Sequence, residues 1–317
     1  MMRARKNARP VHGILLLDKP LEVSSNGILQ RVRWLYQAQK AGHTGALDPM
    51  ASGLLPICFG EATKFSQFLL DTDKTYQVTA TFGIRTTTSD AEGEVVSEKA
   101  VSFSEPELTT AMQQLSGDIL QVPTMFSALK YQGQPLYKYA RQGIEVPREA
   151  RPISIYRFEL LSRTAQTADF IVHCSKGTYI RTLIDDLGEL LGCGAHVSRL
   201  HRVQVGPFQA AQMVSPAQLE ALNEQQDWAA LDALLLPMDA GLQGLPSQVL
   251  DAAQQKAIMH GQSCQVAAAD AEVVKLYAES GQLLGIGEIV SGELSSRRLI
   301  NLAALAPTVA DDSSLLA

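Results

Sequence analysis

Asp48 stands in the stretch GHTGALDPMASGLLPICFGEATK, residues 42–64, with Pro49 directly after it. Apolar residues run on both sides: Ala46 and Leu47 before it, then Leu54, Leu55, Ile57 and Phe59. A carboxylate set against a core has its reactivity tuned by what surrounds it. Such a group acts as a nucleophile, as a general base or as half of an ion pair. Asp-Pro is also an ordinary turn, with Pro49 supplying a fixed φ and no chemistry. His43 and Thr44 share the loop, and Gly42, Gly45 and Gly53 allow the backbone to approach something bulky. The expectation is a tightly turned loop holding one carboxylate in dry surroundings.

Elements on both sides must carry that loop. Gly13 to Leu17 reads as a buried strand. Ser24, Ser25 and Asn26 can cap a helix with Ile28, Val32 and Leu35 on its apolar face. Past the loop, Glu61 to Leu70 reads as a short helix. Residues 75–82 alternate: Tyr76, Val78, Ala80 and Phe82 face one way, Thr75, Gln77, Thr79 and Thr81 the other. That is the pattern of a half-buried strand. TTTSDAEGE, residues 86–94, is polar and turn-rich, hence a loop. Ser104 and Glu107 form a capping-box pattern ahead of Leu108, Met112 and Leu115. Strands are expected near 153–161 and 168–174. A helix then carries Ile180, Ile184, Leu187 and Leu191, stopped by Gly192 and Gly194, and residues 195–205 read as a further strand. A Gln/Glu/Ala-rich helical stretch spans 216–235. From about 246 come the alternating segments SCQVAA, VVKLYA and LLGIGEIV, the pattern of a small β-barrel or sandwich.

The 317 residues suffice for one large domain and a small one. No apolar run reaches the roughly 18 residues of a membrane-spanning helix. The basic N-terminus, with Arg3, Arg5, Lys6 and Arg9, lacks a signal-peptide core, so a cytoplasmic protein is expected. Four scattered cysteines give neither a disulfide framework nor a cysteine zinc site. Cys193, His196 and His201 lie close in sequence but lack a fourth ligand, and no metal is expected. The net charge of −6 conceals an asymmetry: residues 1–206 carry +3 and residues 207–317 carry −9. A mildly basic front suits an anionic partner.

The stretch from Gly42 to Gln67 resembles the catalytic segment of the bacterial tRNA pseudouridine-55 synthase family. GILLLDKPLEVSSN (13–26) resembles that family's lysine-proline motif, DKTYQV (73–78) its tyrosine motif, and CSKGTYIRTLIDDLGELLGCGAHVSRLHR (174–202) its arginine motif. The resemblance runs from about residue 12 to 205, and is weaker beyond. It implies an α/β (α+β) fold. A mixed, largely antiparallel catalytic sheet of pseudouridine-synthase type would be followed by a small C-terminal β-barrel (PUA-like) domain. The boundaries expected are 1–240 for the catalytic domain, 246–305 for the RNA-binding domain and 306–317 for a frayed tail.

The implied reaction converts uridine-55 in the T loop of tRNA to its C-glycoside isomer. The C1′–N1 bond breaks, the base rotates, and C5 bonds to C1′. No atom is gained and no redox change occurs, so no cofactor is expected. Asp48 matches the family's catalytic aspartate, and three roles stay open: attack at C1′, attack at C6, or stabilisation of an oxocarbenium-like species. Arg181 matches the arginine paired with it, holding the carboxylate ionised. Tyr76 matches a ring that stacks on the target base, its hydroxyl available for proton transfer. Tyr179 and Leu200 match substrate-pocket positions, and His43 matches a residue that contacts a flipped-out base. Lys19 and Pro20 shape the pocket edge. The partner implied is the T-arm of tRNA, with no membrane, no protein partner and a monomeric enzyme.

Base extrusion favours a cleft with a basic rim. Residues 127–143 interleave Lys130, Lys138 and Arg141 with Tyr131, Tyr137 and Tyr139, which fits such a rim and equally an ordinary surface helix. Asp185 and Asp186 could partner Asp48 in a glycoside hydrolase, but neighbours on a helix point apart, and a solvated face is expected. The other rival is an RNA-binding protein without turnover, for which position 48 need not be aspartate.

Overall fold

The computed structural model describes residues 8–305. The expected tail, 306–317, and Arg3, Arg5 and Lys6 lie outside the described residues. The chain begins with β1 (Gly13–Lys19), α1 (Ser25–Leu35), β2 (Ala41–His43) and β3 (Ala51–Phe59). Next come α2 (Ser66–Leu70), β4 (Lys74–Phe82), β5 (Ile84–Thr86), β6 (Val95–Glu98), α3 (Glu105–Gln114) and β7 (Gly117–Gln121). A small hairpin, β8 (Lys130–Tyr131) and β9 (Gln134–Pro135), leads to α4 (Leu136–Ala140). The body closes with β10 (Arg151–Arg163), β11 (Thr167–Cys174), α5 (Ile180–Leu190), β12 (Ala195–Val205), β13 (Phe208–Gln209), α6 (Pro216–Glu224) and α7 (Trp228–Ala233).

One mixed sheet organises these elements, in the order β1-β3-β12-β4-β11-β10-β7, with β2 added to β3 and β13 to β12. Neighbouring strands run antiparallel except β12 and β3, which are parallel, with Leu200 opposite Ala51 and Arg202 opposite Gly53. The alternation of residues 75–82 explains the central strand. Val78, Ala80 and Phe82 are buried in the main core with Phe170, Val172, Leu183, Ile184 and Leu187, while Gln77 faces out. Burial of each large apolar side chain stabilises by about 1.5–3 kcal/mol, enough to fix the register. A second core lies between α1, α6, α7 and one face of β1 and β3, with Leu15, Leu17, Ile28, Val32, Leu55 and Leu231.

Ser24 caps α1, its hydroxyl accepting from the Gly27 amide at 3.0 Å. Ser104 and Glu107 close the capping box on α3. Helix α5 ends where Gly192 and Gly194 take positive φ, +76° and +77°, and the chain reverses into β12. The single helix expected over 61–70 is instead a 3₁₀ stretch, Gly60–Phe65, followed by α2. The buried Lys74 ammonium donates to the carbonyls of Leu70 and Thr72 at the end of α2.

A second sheet follows: β14 (Ser247–Leu250), α8 (Ala252–Met259), β15 (Cys264–Gln265), β16 (Ala271–Ala278), β17 (Leu283–Val290) and β18 (Glu293–Leu299). Its order, β14-β16-β17-β18-β15, curls around Leu250, Ile258, Leu276, Leu284 and Leu294. It docks on the body through Phe65, Leu242, Leu283, Ile286 and Ile300. Polar links reinforce the seam. Lys64 donates to the Leu299 carbonyl at 2.9 Å, the Asn301 amide donates to Glu61 at 2.6 Å, and the Tyr277 hydroxyl meets Asp239.

Candidate active site

The loop from Gly42 to Met50 is pinned from three sides. The Ser25 hydroxyl, at the start of α1, accepts from the Leu47 amide at 2.7 Å and donates to the Leu47 carbonyl at 2.9 Å. Lys19, wholly buried at the end of β1, donates to the carbonyls of Pro20 and Ala51 at 2.9 and 2.6 Å. Arg202, buried on β12, donates to Leu54 at 2.7 Å and to Gly45 at 3.1 Å. The close approach expected of the glycines is made by the protein itself. Gly53 has φ +100°, and a Cβ there would lie 2.4 Å from the Arg202 carbonyl. A Cβ at Gly42 would meet nothing within 4 Å.

Held this way, Asp48 stands at an opening. Its side chain is 41% exposed, so the dry setting expected from the apolar flanks holds only on one side: Leu47 and the β3 residues Leu54, Leu55, Ile57 and Phe59 are buried, while Ala46 is exposed. Behind it lies Arg181, in the first turn of α5, with 6% side-chain exposure and Nε 2.9 Å from Asp48 Oδ2. It is no surface charge. Its Nη1 lies 3.3 Å from Asp90 Oδ2 and donates to the Thr88 carbonyl, and its Nη2 donates to the Phe126 carbonyl.

Burial pushes the Asp48 carboxyl above the usual aspartate range, and Asp90 adds to the push. Arg181 and Lys19 pull it part of the way back. Arg181 is the largest influence holding the carboxyl down against burial, the direction expected of the guanidinium paired with it. Lys19 is itself lowered by burial to about 8.

Tyr76, on β4, is half-buried against the main core, and burial pushes its phenol up. Leu200, 5% exposed on β12, is opposite Val78 and belongs to the same core. Tyr179 is the residue before α5. Its amide donates to Gln121 Oε1 at 2.8 Å and its carbonyl accepts from Gln121 Nε2 at 3.1 Å. That amide-to-backbone clamp fixes the start of the helix that carries Arg181. His43 ends β2, beside Ile57. Its Nδ1 is buried without a hydrogen-bond partner, and burial and Arg202 both lower its pKa.

Four residues that position this site were not singled out from the sequence: Ser25 as a clamp, Asp90, Gln121 and Arg202. Asp90 lay in a stretch read only as a polar loop, and it is 3% exposed. Its Oδ1 accepts from Thr88 at 2.5 Å and from the Glu92 amide at 3.0 Å. The signal for Arg202 was available: strand periodicity puts it on the buried face with Leu200.

The remaining candidates have other engagements. Asp185 binds Arg85, Oδ1 to Nε at 2.9 Å, and Asp186 is half-buried with its carboxyl pushed up by burial to about 6. The solvated face expected for the two is corrected: Asp185 is in a structural ion pair with Arg85, and Asp186 is half-buried beside it. His196 bonds the Ile84 carbonyl and His201 bonds Ser52. In the 127–143 segment the tyrosines are half-buried, Tyr131 and Tyr139 edge to face at 6.0 Å and Tyr137 under the Arg141 guanidinium, while Lys130, Lys138 and Arg141 are exposed.

The fold matches the chain of a Cbf5–Nop10–Gar1 complex with a TM-score of 0.71, at 23% identity, over 92% of this chain and 85% of that one. It also matches an H/ACA RNP bound to a substrate RNA containing 2′-deoxyuridine (TM-score 0.68, 21% identity, 91% and 85% covered). The model of the TruB family pseudouridylate synthase N-terminal domain matches residues 33–180. Models of the tRNA pseudouridylate synthase B C-terminal domain and of the pseudouridine synthase II TruB C-terminal region match 181–243 and 246–300. The tRNA pseudouridine synthase B of Actinobacillus pleuropneumoniae is 55% identical, over 95% of this chain and all of that one. Its counterpart in Haemophilus influenzae (strain 86-028NP) is 53% identical, over 96% and 100%. The chain belongs to the TruB family of pseudouridylate synthases.

Proposed function

We propose that this protein converts uridine-55 in the T loop of tRNA to pseudouridine, with Asp48 as the catalytic carboxylate. One observation carries the reading: Asp48 is half open to solvent while the guanidinium behind it is buried and fixed by four acceptors. A carboxylate held by one oxygen keeps the other for a substrate. At a ribose it can attack C1′ or stabilise an oxocarbenium-like species, and at the base it can attack C6. The uridine must leave its stack to arrive there. Tyr76 then stacks on the base, its hydroxyl placed for proton transfer, while Tyr179 and Leu200 line the pocket. His43 contacts a second extruded base of the same loop. A neutral imidazole there is suited to stacking and hydrogen bonding. Residues 1–240 form the catalytic unit and 246–305 a small RNA-binding unit. The enzyme works as a monomer, in the cytoplasm, without a protein partner.

The test is incubation of the purified protein with unmodified T-arm RNA and quantification of pseudouridine by nucleoside analysis. Stoichiometric conversion at the target uridine supports the assignment, and RNA binding without conversion defeats it.

The exposed cations of 127–143 form the rim of the RNA site. Replacing Lys130, Lys138 and Arg141 together by alanine lowers tRNA affinity. It also reduces the log–log salt slope by about 2–3 units, roughly one for each phosphate no longer neutralised. Filter binding over a salt series reads this, and an unchanged slope removes the segment from the interface.

A further inference from the structure

We infer that Arg202 is a positioning residue for the reaction, its guanidinium holding the Asp48 loop and the Tyr76 hydroxyl in one fixed arrangement. The inference rests on the catalytic reading of Asp48 and Tyr76 given above. In the sheet, Arg202 is the Cα partner of Gly53 on β3 and of Tyr76 on β4, so it sits between the strands that carry the two groups. It is 1% exposed. Its hydrogen bonds reach the carbonyls of Gly45 and Leu54, one on each side of Asp48 in the chain.

The charge of Arg202 is unusual. None of the ion pairs among the described residues includes it. Arg181, by contrast, faces two carboxylates. A buried cation without a counter-charge is costly, and breaking even a paired one is strongly destabilising. A guanidinium does not escape that cost by losing its proton. Its neighbours yield instead. Lys19 on β1, His43 on β2 and Lys74 on β4 all have pKa values pushed down by Arg202 in addition to burial. The two lysines, at about 8, keep most of their charge at neutral pH, so Arg202 is the rigid, forked member of a group of cations.

Tyr76, as the cross-strand partner of Arg202, presents its side chain on the same face of the sheet. Burial raises its phenol, and Arg202 is the largest influence in the opposite direction. The Cys174 thiol on β11 and the Asp48 carboxylate act the other way and raise it further. Cys174 is itself pushed up by burial to about 12. Without Arg202 the hydroxyl would be a poorer proton donor, and the loop would lose ties on both sides of Asp48.

The experiment uses full-length, RNA-free protein with 3,5-difluorotyrosine in place of Tyr76, which brings ionisation into a range where the protein stays folded. ¹⁹F NMR follows the titration. Arg202→Gln raises the midpoint by at least about one pH unit. Arg202→Lys keeps the charge and leaves the midpoint within about half a unit. On unlabelled protein, Arg202→Lys lowers the single-turnover rate on T-arm RNA at least about tenfold because the fork to Gly45 and Leu54 is gone. Thermal melts confirm that the compared variants are folded. An unmoved midpoint in Arg202→Gln overturns the inference. If that variant does not fold, a parental rate and pH profile in Arg202→Lys overturns it. The titration needs no RNA and no turnover, so its failure is separable from a failure of parent protein to convert T-arm RNA.

Discussion

Asp48→Asn abolishes conversion of T-arm RNA, by at least about 10⁴-fold in single turnover, while RNA affinity stays close to that of the parent. The amide is nearly isosteric, so the loop clamps from Ser25, Lys19 and Arg202 are untouched. Arg181 keeps Asp90, the Thr88 carbonyl and the Phe126 carbonyl. The variant therefore melts within about 3 °C of the parent or above it. The sign follows from the raised carboxyl. A folded-state pKa above the unfolded value means that ionisation opposes folding. The penalty is absent below the ordinary aspartate value and grows as pH rises through the folded one. Asn removes that pH-dependent component, which melts at several pH values reveal. In the parent, the single-turnover rate falls on the acid side with a midpoint above that of a free aspartate. Substantial turnover by the Asn variant would discard the assignment.

Arg181→Met acts on both activity and stability. The variant retains the methylene volume but leaves Asp90, 4% exposed, as a buried carboxylate without its cation. Breaking a buried pair costs about 3–5 kcal/mol, which corresponds to a drop of about 10 °C in melting temperature for a chain of this size. The Asp48 carboxyl rises further without the guanidinium, and Asp90 is left buried without its cation. The variant's deficit is therefore greatest at neutral pH and shrinks as pH falls and the groups protonate. Asp90→Asn on the Arg181→Met background restores most of the melting temperature. It restores none of the activity, which depends on Asp48 remaining charged and oriented. Calorimetry of the two variants at pH 5 and pH 7.5 separates these effects. A deficit that does not vary with pH contradicts the ion-pair account.

Elements defined by local periodicity were legible in the sequence. The alternation of 75–82, the apolar face of 180–191 and the strand 195–205 all recur in the fold because each buries one face on a shared core. The capping box at Ser104 is equally local. The sheet order and the electrostatics were not legible. Arg181 and Asp90 are 91 positions apart and meet only through tertiary packing; an Asp among Thr and Ser gives no hint of it. The exposure of Asp48 was misjudged because apolar neighbours report where the backbone goes. On a tight loop, a side chain can leave in the other direction. Gln121 escaped notice because one amide imitating a strand partner leaves no periodic trace.

The parallel junction between β12 and β3 joins residues about 150 positions apart. During synthesis from the N-terminus, the segment bearing Asp48 emerges long before the strand that anchors it. Its tie to Ser25 can form early, but those to Gly45 and Leu54 must await Arg202. A nascent chain that stops short of β12 therefore carries the reactive carboxylate on an incompletely ordered loop, and competence arrives late, in a single closing event.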